Sequence, residues 1–227
     1  MNEFREPCLK LALAAGTAIL EVYRQDFSVE TKGDNSPLTA ADLASHRIIV
    51  DGLQALTPAL PVLSEESSDI PWSVRQGWSR YWLVDPLDGT REFVKKNGEF
   101  TVNIALIENG RPMFGVVYAP VLDSLWHGAR DVGAFLREGD GDIALAVRKP
   151  ASSPLRVAAS RSHLDARTAA LLQRMGEIES VGLGSSLKFC RIAEGTMDFY
   201  PRFGPTSEWD TAAAQCVLES EIGRAHV

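Results

Sequence analysis

The chain has 227 residues, 45% of them hydrophobic and 23% charged, with a formal net charge of −7. That is ordinary globular composition, enough for one large domain or two small ones, and the acidic balance argues against a nucleic-acid polymer as partner. The three cysteines, Cys8, Cys190 and Cys216, are isolated and odd in number, so neither a disulfide framework nor a zinc spacing emerges and a reducing, cytoplasmic compartment is expected.

Residues 4–24 place Cys8, Leu11, Ala15, Ile19 and Val22 at steps of three and four, the pattern of an amphipathic helix with Pro7 in its first turn. The N-terminus lacks a signal-peptide pattern, and no apolar run is long enough to span a bilayer. Phe27 to Thr31 alternates like a strand, and Lys32 to Pro37 is a loop by composition. A second helix is predicted from about Thr39 to the break at Pro58. Asp42 falls three residues after Thr39, so it reads first as half of a capping box. A carboxylate in a first helical turn can also face a site. Pro61 to Ser64 reads as a short strand running into Glu65-Glu66. Glu65 there is placed like a ligand, although, taken alone, a solvated acidic loop continuing to Asp69 explains it better.

The stretch Trp82-Leu83-Val84-Asp85-Pro86-Leu87-Asp88-Gly89-Thr90 is the most informative in the chain. The apolar run from Tyr81 to Val84 reads as a buried strand, and Pro86 is expected to end it at Asp85. Two carboxylates just past a strand end, with the Leu87 carbonyl between them, form the hard oxygen set that Mg2+ requires. Gly89 lets the backbone approach a bound anion, and a helix starting near Thr90 offers free N–H groups. Taken alone, an ordinary acidic turn explains the same residues.

Beyond Thr90 the chain is β-rich. Asn109-Gly110 between Phe100–Glu108 and Met113–Ala119 is a strong hairpin signal. Short strands are predicted at Ser124–His127, Gly133–Leu136 and Ile143–Val147. Two helices followed by a meander give an α+β layered class. Residues 149–154 (Lys-Pro-Ala-Ser-Ser-Pro) are the best linker, dividing a domain of residues 1–150 from a smaller one of residues 151–220. The second alternates: strand 155–159, helix 164–175, strand 178–183, helix 185–194 closed by Gly195, strand 197–200, helix 208–219. A cleft between the two domains is the default site. Asp210 sits in the first turn of the last helix, where pairing with the helix dipole explains it as well as ligation does. Ser185 and Lys188 follow Gly182-Leu183-Gly184, a weak phosphate-loop pattern. His163 reads as a surface residue, and Arg161 and Arg202 as solvated charges.

Four separated pieces line up: Pro37-Leu38-Thr39-Ala40-Ala41-Asp42, Ser64-Glu65-Glu66, Trp82 to Thr90, and Trp209-Asp210-Thr211-Ala212-Ala213. In this order and spacing they resemble the inositol monophosphatase superfamily of Mg2+-dependent, lithium-sensitive phosphatases, over nearly the whole chain. Asp-Gly-Thr-Arg-Glu-Phe (88–93), Glu-Phe-Thr-Val-Asn-Ile-Ala-Leu (99–106), Gly-Ser-Ser-Leu-Lys-Phe-Cys and Ala-Glu-Gly-Thr-Met-Asp-Phe-Tyr (within 184–200) look most like its 3′(2′),5′-bisphosphate nucleotidase branch.

The resemblance implies an α+β fold layered as an α-β-α-β-α sandwich. It implies removal of the 3′-phosphate from adenosine 3′,5′-bisphosphate, a by-product of sulfate assimilation, with two or three Mg2+ ions as cofactors. It makes Glu65, Asp85, the Leu87 carbonyl, Asp88 and Asp210 metal ligands. It gives Asp42, Thr90 and Glu65 the handling of the attacking water. Glu65, Leu87, Asp88, Gly89, Thr90 and Asp210 then surround the scissile phosphate, and Ser185, Lys188 and His163 meet the 5′-phosphate side. The superfamily continues past the last helix with a Gly-Gly turn and closing strands. Here the match stops near Glu219, so residues 221–227 are expected to be an unrelated tail and the last strands to be missing. Hydrolysis of inositol monophosphates or fructose 1,6-bisphosphate on the same scaffold is the nearest alternative; an inactive, truncated nucleotide-binding protein is the alternative of another class. Oligomeric state and peripheral attachment to the inner face of the cell membrane are left open by the sequence.

Overall fold

A computed structural model describes residues 2–25, 29–31, 37–162 and 165–221. Helix α1 spans Asn2–Tyr23, and the strands β1 (Glu30–Thr31) and β2 (Pro37–Leu38) form a two-residue antiparallel ribbon. Helix α2 spans Ala40–Leu56. Strand β3 (Val62–Ser64) runs into a 3-10 turn, Glu65–Ser67, and a short helix α3 spans Trp72–Arg75. Then come β4 (Arg80–Asp88), α4 (Thr90–Val94), β5 (Thr101–Glu108), β6 (Arg111–Ala119), β7 (Ser124–Ala129), β8 (Gly133–Glu138) and β9 (Gly141–Ala144). The C-terminal part contains β10 (Leu155–Ser160), α5 (Ala166–Arg174), β11 (Ile178–Leu183), α6 (Leu187–Ala193) and α7 (Glu208–Ser220).

Strands β3 to β9 lie in chain order in one seven-stranded sheet, antiparallel except for the β3–β4 pair. The β5–β6 turn has φ of 50° at Asn109 and 71° at Gly110, the doubly left-handed geometry that Asn-Gly favours. Period-two alternation sends Trp82, Val84, Ile104, Leu106 and Val116 to one face, where they join α1 and α2. Leu83, Ala105, Ile107, Val117 and Trp126 point the other way and pack against α6 and α7. Both faces are covered, which is why these antiparallel strands read as continuous apolar runs instead of alternating ones.

Gly115 and Gly128 face each other across β6 and β7 beneath α7. A Cβ on Gly115 would stand 2.3 Å from the Ala213 carbonyl oxygen, and one on Gly128 would stand 2.9 Å from the Val217 Cα. The helix backbone therefore lies directly on the sheet, and its N-terminus is held close to the end of β4.

The layered α+β class is present, and most element positions match the sequence reading. Strands β10 and β11 pair in parallel, and the predicted strand at 197–200 reduces to a single bridge, Val157 to Phe199. Residues 222–227, the first two positions of the predicted 27–31 strand and positions 32–36 of the predicted loop lie outside the described residues.

Candidate active site

Strand β4 departs from the sequence reading. It does not stop at Asp85 but continues to Asp88 through a bulge. Asp85 pairs with Asn103 and Asp88 with Thr101, so three steps along β4 match two along β5. Positions three apart on a regular strand point to opposite faces; the extra residue puts both aspartates on the face covered by α7. Pro86 is tolerated because it lies in the bulge, where no ladder bond needs its missing N–H. Its carbonyl accepts from the Ser45 hydroxyl at 2.7 Å, and the Leu87 N–H donates to Asp85 Oδ1 at 3.1 Å.

The third carboxylate arrives on α7. Asp210 sits at the third position of that helix, with Oδ2 accepting from Ser207 N and Thr206 Oγ1, both at 2.9 Å. One oxygen of each of Asp85, Asp88 and Asp210 lies within 4.8 Å of the others. Burial, then the charges of Glu65, Asp88 and Asp210, push the Asp85 carboxyl well above the usual carboxylate range. Burial and the Asp210 charge push Asp88 up to about 7, with Lys188 and the Ser186 N–H opposing. Glu65 lines the same cleft at the end of β3. The donor set is all oxygen and highly charged, which fits a hard divalent cation and not a soft metal.

Asp42 also serves its helix. Its Oδ2 accepts from Thr39 N at 2.8 Å and Thr39 Oγ1 at 2.6 Å, completing the predicted capping box. Its Oδ1 accepts from Thr90 Oγ1 at 3.2 Å, and the Leu87 carbonyl lies 3.3 Å from the same hydroxyl. Gly89 has φ of 91°, and a Cβ there would stand 3.2 Å from the Glu99 carbonyl and 3.3 Å from Ser185 Cβ.

The far wall carries positive charge. Lys188 on α6 is only 4% exposed, and burial lowers its pKa to about 8 against the opposing pull of Asp88. Its ammonium donates to the carbonyls of Leu183 and Ser185 and lies 5.2 Å from the Tyr200 ring centre. Ser186 Oγ donates to Asn103 Oδ1 at 2.9 Å, and Asn103 Nδ2 lies 3.3 Å from Asp88 Oδ2, so the far wall is tied to the carboxylates. Arg202 Nη2 donates to the Pro205 carbonyl at 2.6 Å. The buried Arg202 Nε and Ser185 Oγ have no hydrogen-bond partner among the described residues.

Together these residues line a cleft of about 380 Å³, the size of a small-molecule site. The structure thus brings Glu65, Asp85, Leu87, Asp88, Gly89, Thr90, Ser185, Lys188 and Asp210 to one cleft, with Asp42 behind Thr90. His163 lies outside the described residues. Sequence reasoning finds no signal for Tyr200, which lines the cleft, or for Asn103 and Ser186, which support Asp88 from behind, and it reads Arg202 as a solvated charge; only the tertiary packing places Arg202 in the lining.

The Inositol monophosphatase family model matches residues 1–223. The 3′(2′),5′-bisphosphate nucleotidase CysQ of Escherichia coli K12 is 53% identical over 220 residues, 96% of this chain and 87% of that protein. The corresponding Salmonella typhimurium protein is 51% identical over 223 residues, covering 97% and 89%. The crystal structure of CysQ from Bacteroides thetaiotaomicron superposes with a TM-score of 0.79 at 40% identity, covering 95% of this chain and 85% of that one. The inositol monophosphatase of Thermotoga maritima gives 0.81 at 27% identity, covering 97% and 84%. On the fold, the carboxylate cluster and these matches, the chain belongs to the inositol monophosphatase family.

Proposed function

We propose that this chain is a 3′(2′),5′-bisphosphate nucleotidase: a metal-dependent phosphatase that hydrolyses the 3′-phosphate of adenosine 3′,5′-bisphosphate to AMP and phosphate. The observation that carries the reading is a single cleft that holds charges of both signs. Asp85, Asp88 and Asp210 gather within reach of one cation, and Lys188 and Arg202 line the same cleft. A substrate with two phosphates on one ribose meets both. The three cysteines are buried and free, which suits reducing cytoplasm, and among the described residues no helix is long and apolar enough to cross a membrane.

Glu65, Asp85, Asp88, Asp210 and the Leu87 carbonyl are the residues that would hold Mg2+, in two or three ions. Bound there, it supplies neutralisation of the phosphate charge and acidification of water. The rest belongs to side chains and backbone. Thr90 donates its hydroxyl proton to the Asp42 carboxylate, so its oxygen lone pair is left to accept from the attacking water and aim it. The Gly89 and Thr90 N–H groups hold the oxygens of the scissile phosphate, and Gly89 lets the backbone come close. Water attacks phosphorus opposite the ribose 3′-oxygen; the P–O3′ bond breaks, the water's oxygen and one of its protons stay on the phosphate, and its other proton ends on the departing 3′-oxygen. Positioning and charge neutralisation dominate such a transfer. Ser185, Lys188 and Arg202 hold the second phosphate, Ser185 Oγ and Arg202 Nε gaining the partners they lack.

The test is Mg2+-dependent phosphate release from adenosine 3′,5′-bisphosphate and from inositol 1-phosphate, with and without lithium. Preference for the nucleotide and inhibition by lithium support the reading. Faster release from the inositol ester overturns the substrate assignment.

A further inference from the structure

We propose that Glu99 and Arg161 form a clasp that positions the far wall of the cleft for the phosphate that is not cleaved, a reading that rests on the two-phosphate substrate proposed above. Both residues lie behind the cleft and not in its lining. Arg161 follows β10, and its Nε and Nη2 reach Glu99 Oε2 and Oε1, each at 2.7 Å. This is the bidentate guanidinium–carboxylate arrangement, which fixes orientation as well as distance. Glu99 Oε2 also accepts from the Gly184 N–H at 2.8 Å, and Arg161 Nη2 donates to the Gly182 carbonyl. The carboxylate, from the loop between α4 and β5, and the guanidinium bound to it thus grip the two sides of the turn that ends β11.

The backbones are in contact too. A Cβ on Gly184 would stand 2.5 Å from the Glu99 carbonyl oxygen, the same oxygen that limits Gly89. Glu99 is therefore a wedge between the turn at Gly89 and the far wall. A second tether runs beside it: Ser162 Oγ donates to Glu92 and accepts from Lys95 Nζ at 3.0 Å. Ser185, in the left-handed region at φ 42°, follows Gly184 directly, and the Lys188 ammonium bonds the Leu183 and Ser185 carbonyls that flank Gly184. Their positions follow from the clasp. The carboxylates are fixed instead by β4, β5 and α7, so a loosened clasp disturbs the second phosphate before it disturbs the chemistry at the first. An exposed ion pair with no such role contributes little, and Arg161 is nearly half exposed.

The experiment compares adenosine 3′,5′-bisphosphate with adenosine 3′-monophosphate, which has the same scissile bond and lacks the second phosphate. Arg161→Ala and Glu99→Ala are expected to raise KM for the bisphosphate about tenfold, the weight of one charge-assisted hydrogen bond. Their kcat, and KM for the monophosphate, stay near the wild-type values, and Arg161→Lys restores part of the loss. Equal KM changes for both nucleotides, a loss confined to kcat, or no change at all overturns the clasp. If Glu99→Ala fails to fold, the surface variant Arg161→Ala decides. Hydrogen exchange of the Gly184 to Lys188 amides in the metal-free protein gives an independent reading. Faster exchange in Arg161→Ala supports the clasp; unchanged exchange overturns it. If the wild-type protein hydrolyses neither nucleotide, the substrate assignment falls, and exchange alone judges whether the pair holds the wall.

Discussion

The Thr90 hydroxyl lies 3.2 Å from Asp42 Oδ1, joining the start of α4 to the start of α2 across 48 residues of chain. The other oxygen of Asp42 caps α2. The two residues are therefore expected to separate in mutation. Thr90→Val removes the aimed lone pair and lowers kcat by about a hundredfold, while the thermal midpoint hardly moves. Asp42→Ala loses the same kcat and also the cap, costing about 1 kcal/mol of stability. Steady-state kinetics and thermal melts on both variants check this.

Asp88→Asn and Asp210→Asn each remove one charge from the cluster while keeping size and shape. Turnover is expected to fall more than about a hundredfold, with the circular dichroism spectrum unchanged. In Mg2+-free buffer at pH 8, Asp88→Asn melts no lower than wild type, because a repelled buried charge has gone. Near-normal Mg2+-dependent turnover in either variant would remove these residues from the ligand set.

The metal-free protein has a defined pH dependence. Asp88 is raised from an ordinary carboxylate value to about 7, and Asp85 is raised as well. Between the unfolded and folded values the native state binds more protons, so stability falls as pH rises through that window. The melting midpoint in EDTA should decline from pH 5 to pH 8. Mg2+ binds the charged form and should flatten or reverse the trend. A midpoint in EDTA that rises over this range contradicts the assignment.

Gly115→Ala tests the seating of α7. The added methyl meets the Ala213 carbonyl at 2.3 Å, and overpacking of this kind costs about 1–3 kcal/mol. Because α7 carries Asp210, Mg2+ affinity should weaken along with the melting midpoint. Isothermal titration with Mg2+ follows the first effect, and a thermal melt the second.

Arg202→Ala removes a guanidinium whose Nε lacks a partner among the described residues. KM for adenosine 3′,5′-bisphosphate is expected to rise about tenfold or more, with kcat little changed. Loss of kcat at unchanged KM would assign Arg202 to a different step.

Several of these relationships were legible in the sequence because local chemistry dictates them. Thr39 and Asp42 announce a helix start, Asn109-Gly110 a hairpin, and the β-type runs after Thr90 an antiparallel meander. The two aspartates of 85–88 were seen as converging, but for a different reason. Pro86 was read as a strand terminator, whereas β4 passes through it, since a bulge has no ladder bond for proline to break. Arg202, Asn103 and Ser186 carry no local signal. The place of Arg202 in the cleft, and of Asn103 and Ser186 behind Asp88, depends on how β5, α6 and the segment before α7 meet, which spacing along the chain does not encode.

The kink in β4 also governs what changes this region tolerates. If β4 kept all its residues but lost the bulge, an unbroken pleat would point Asp85 and Asp88 to opposite faces, one of them toward α1 and α2, dispersing the cation pocket although every acidic side chain survives. A library that varies identities between Asp85 and Asp88 would retain many metal-binding members. A library that abolishes the bulge while keeping both acids would retain almost none.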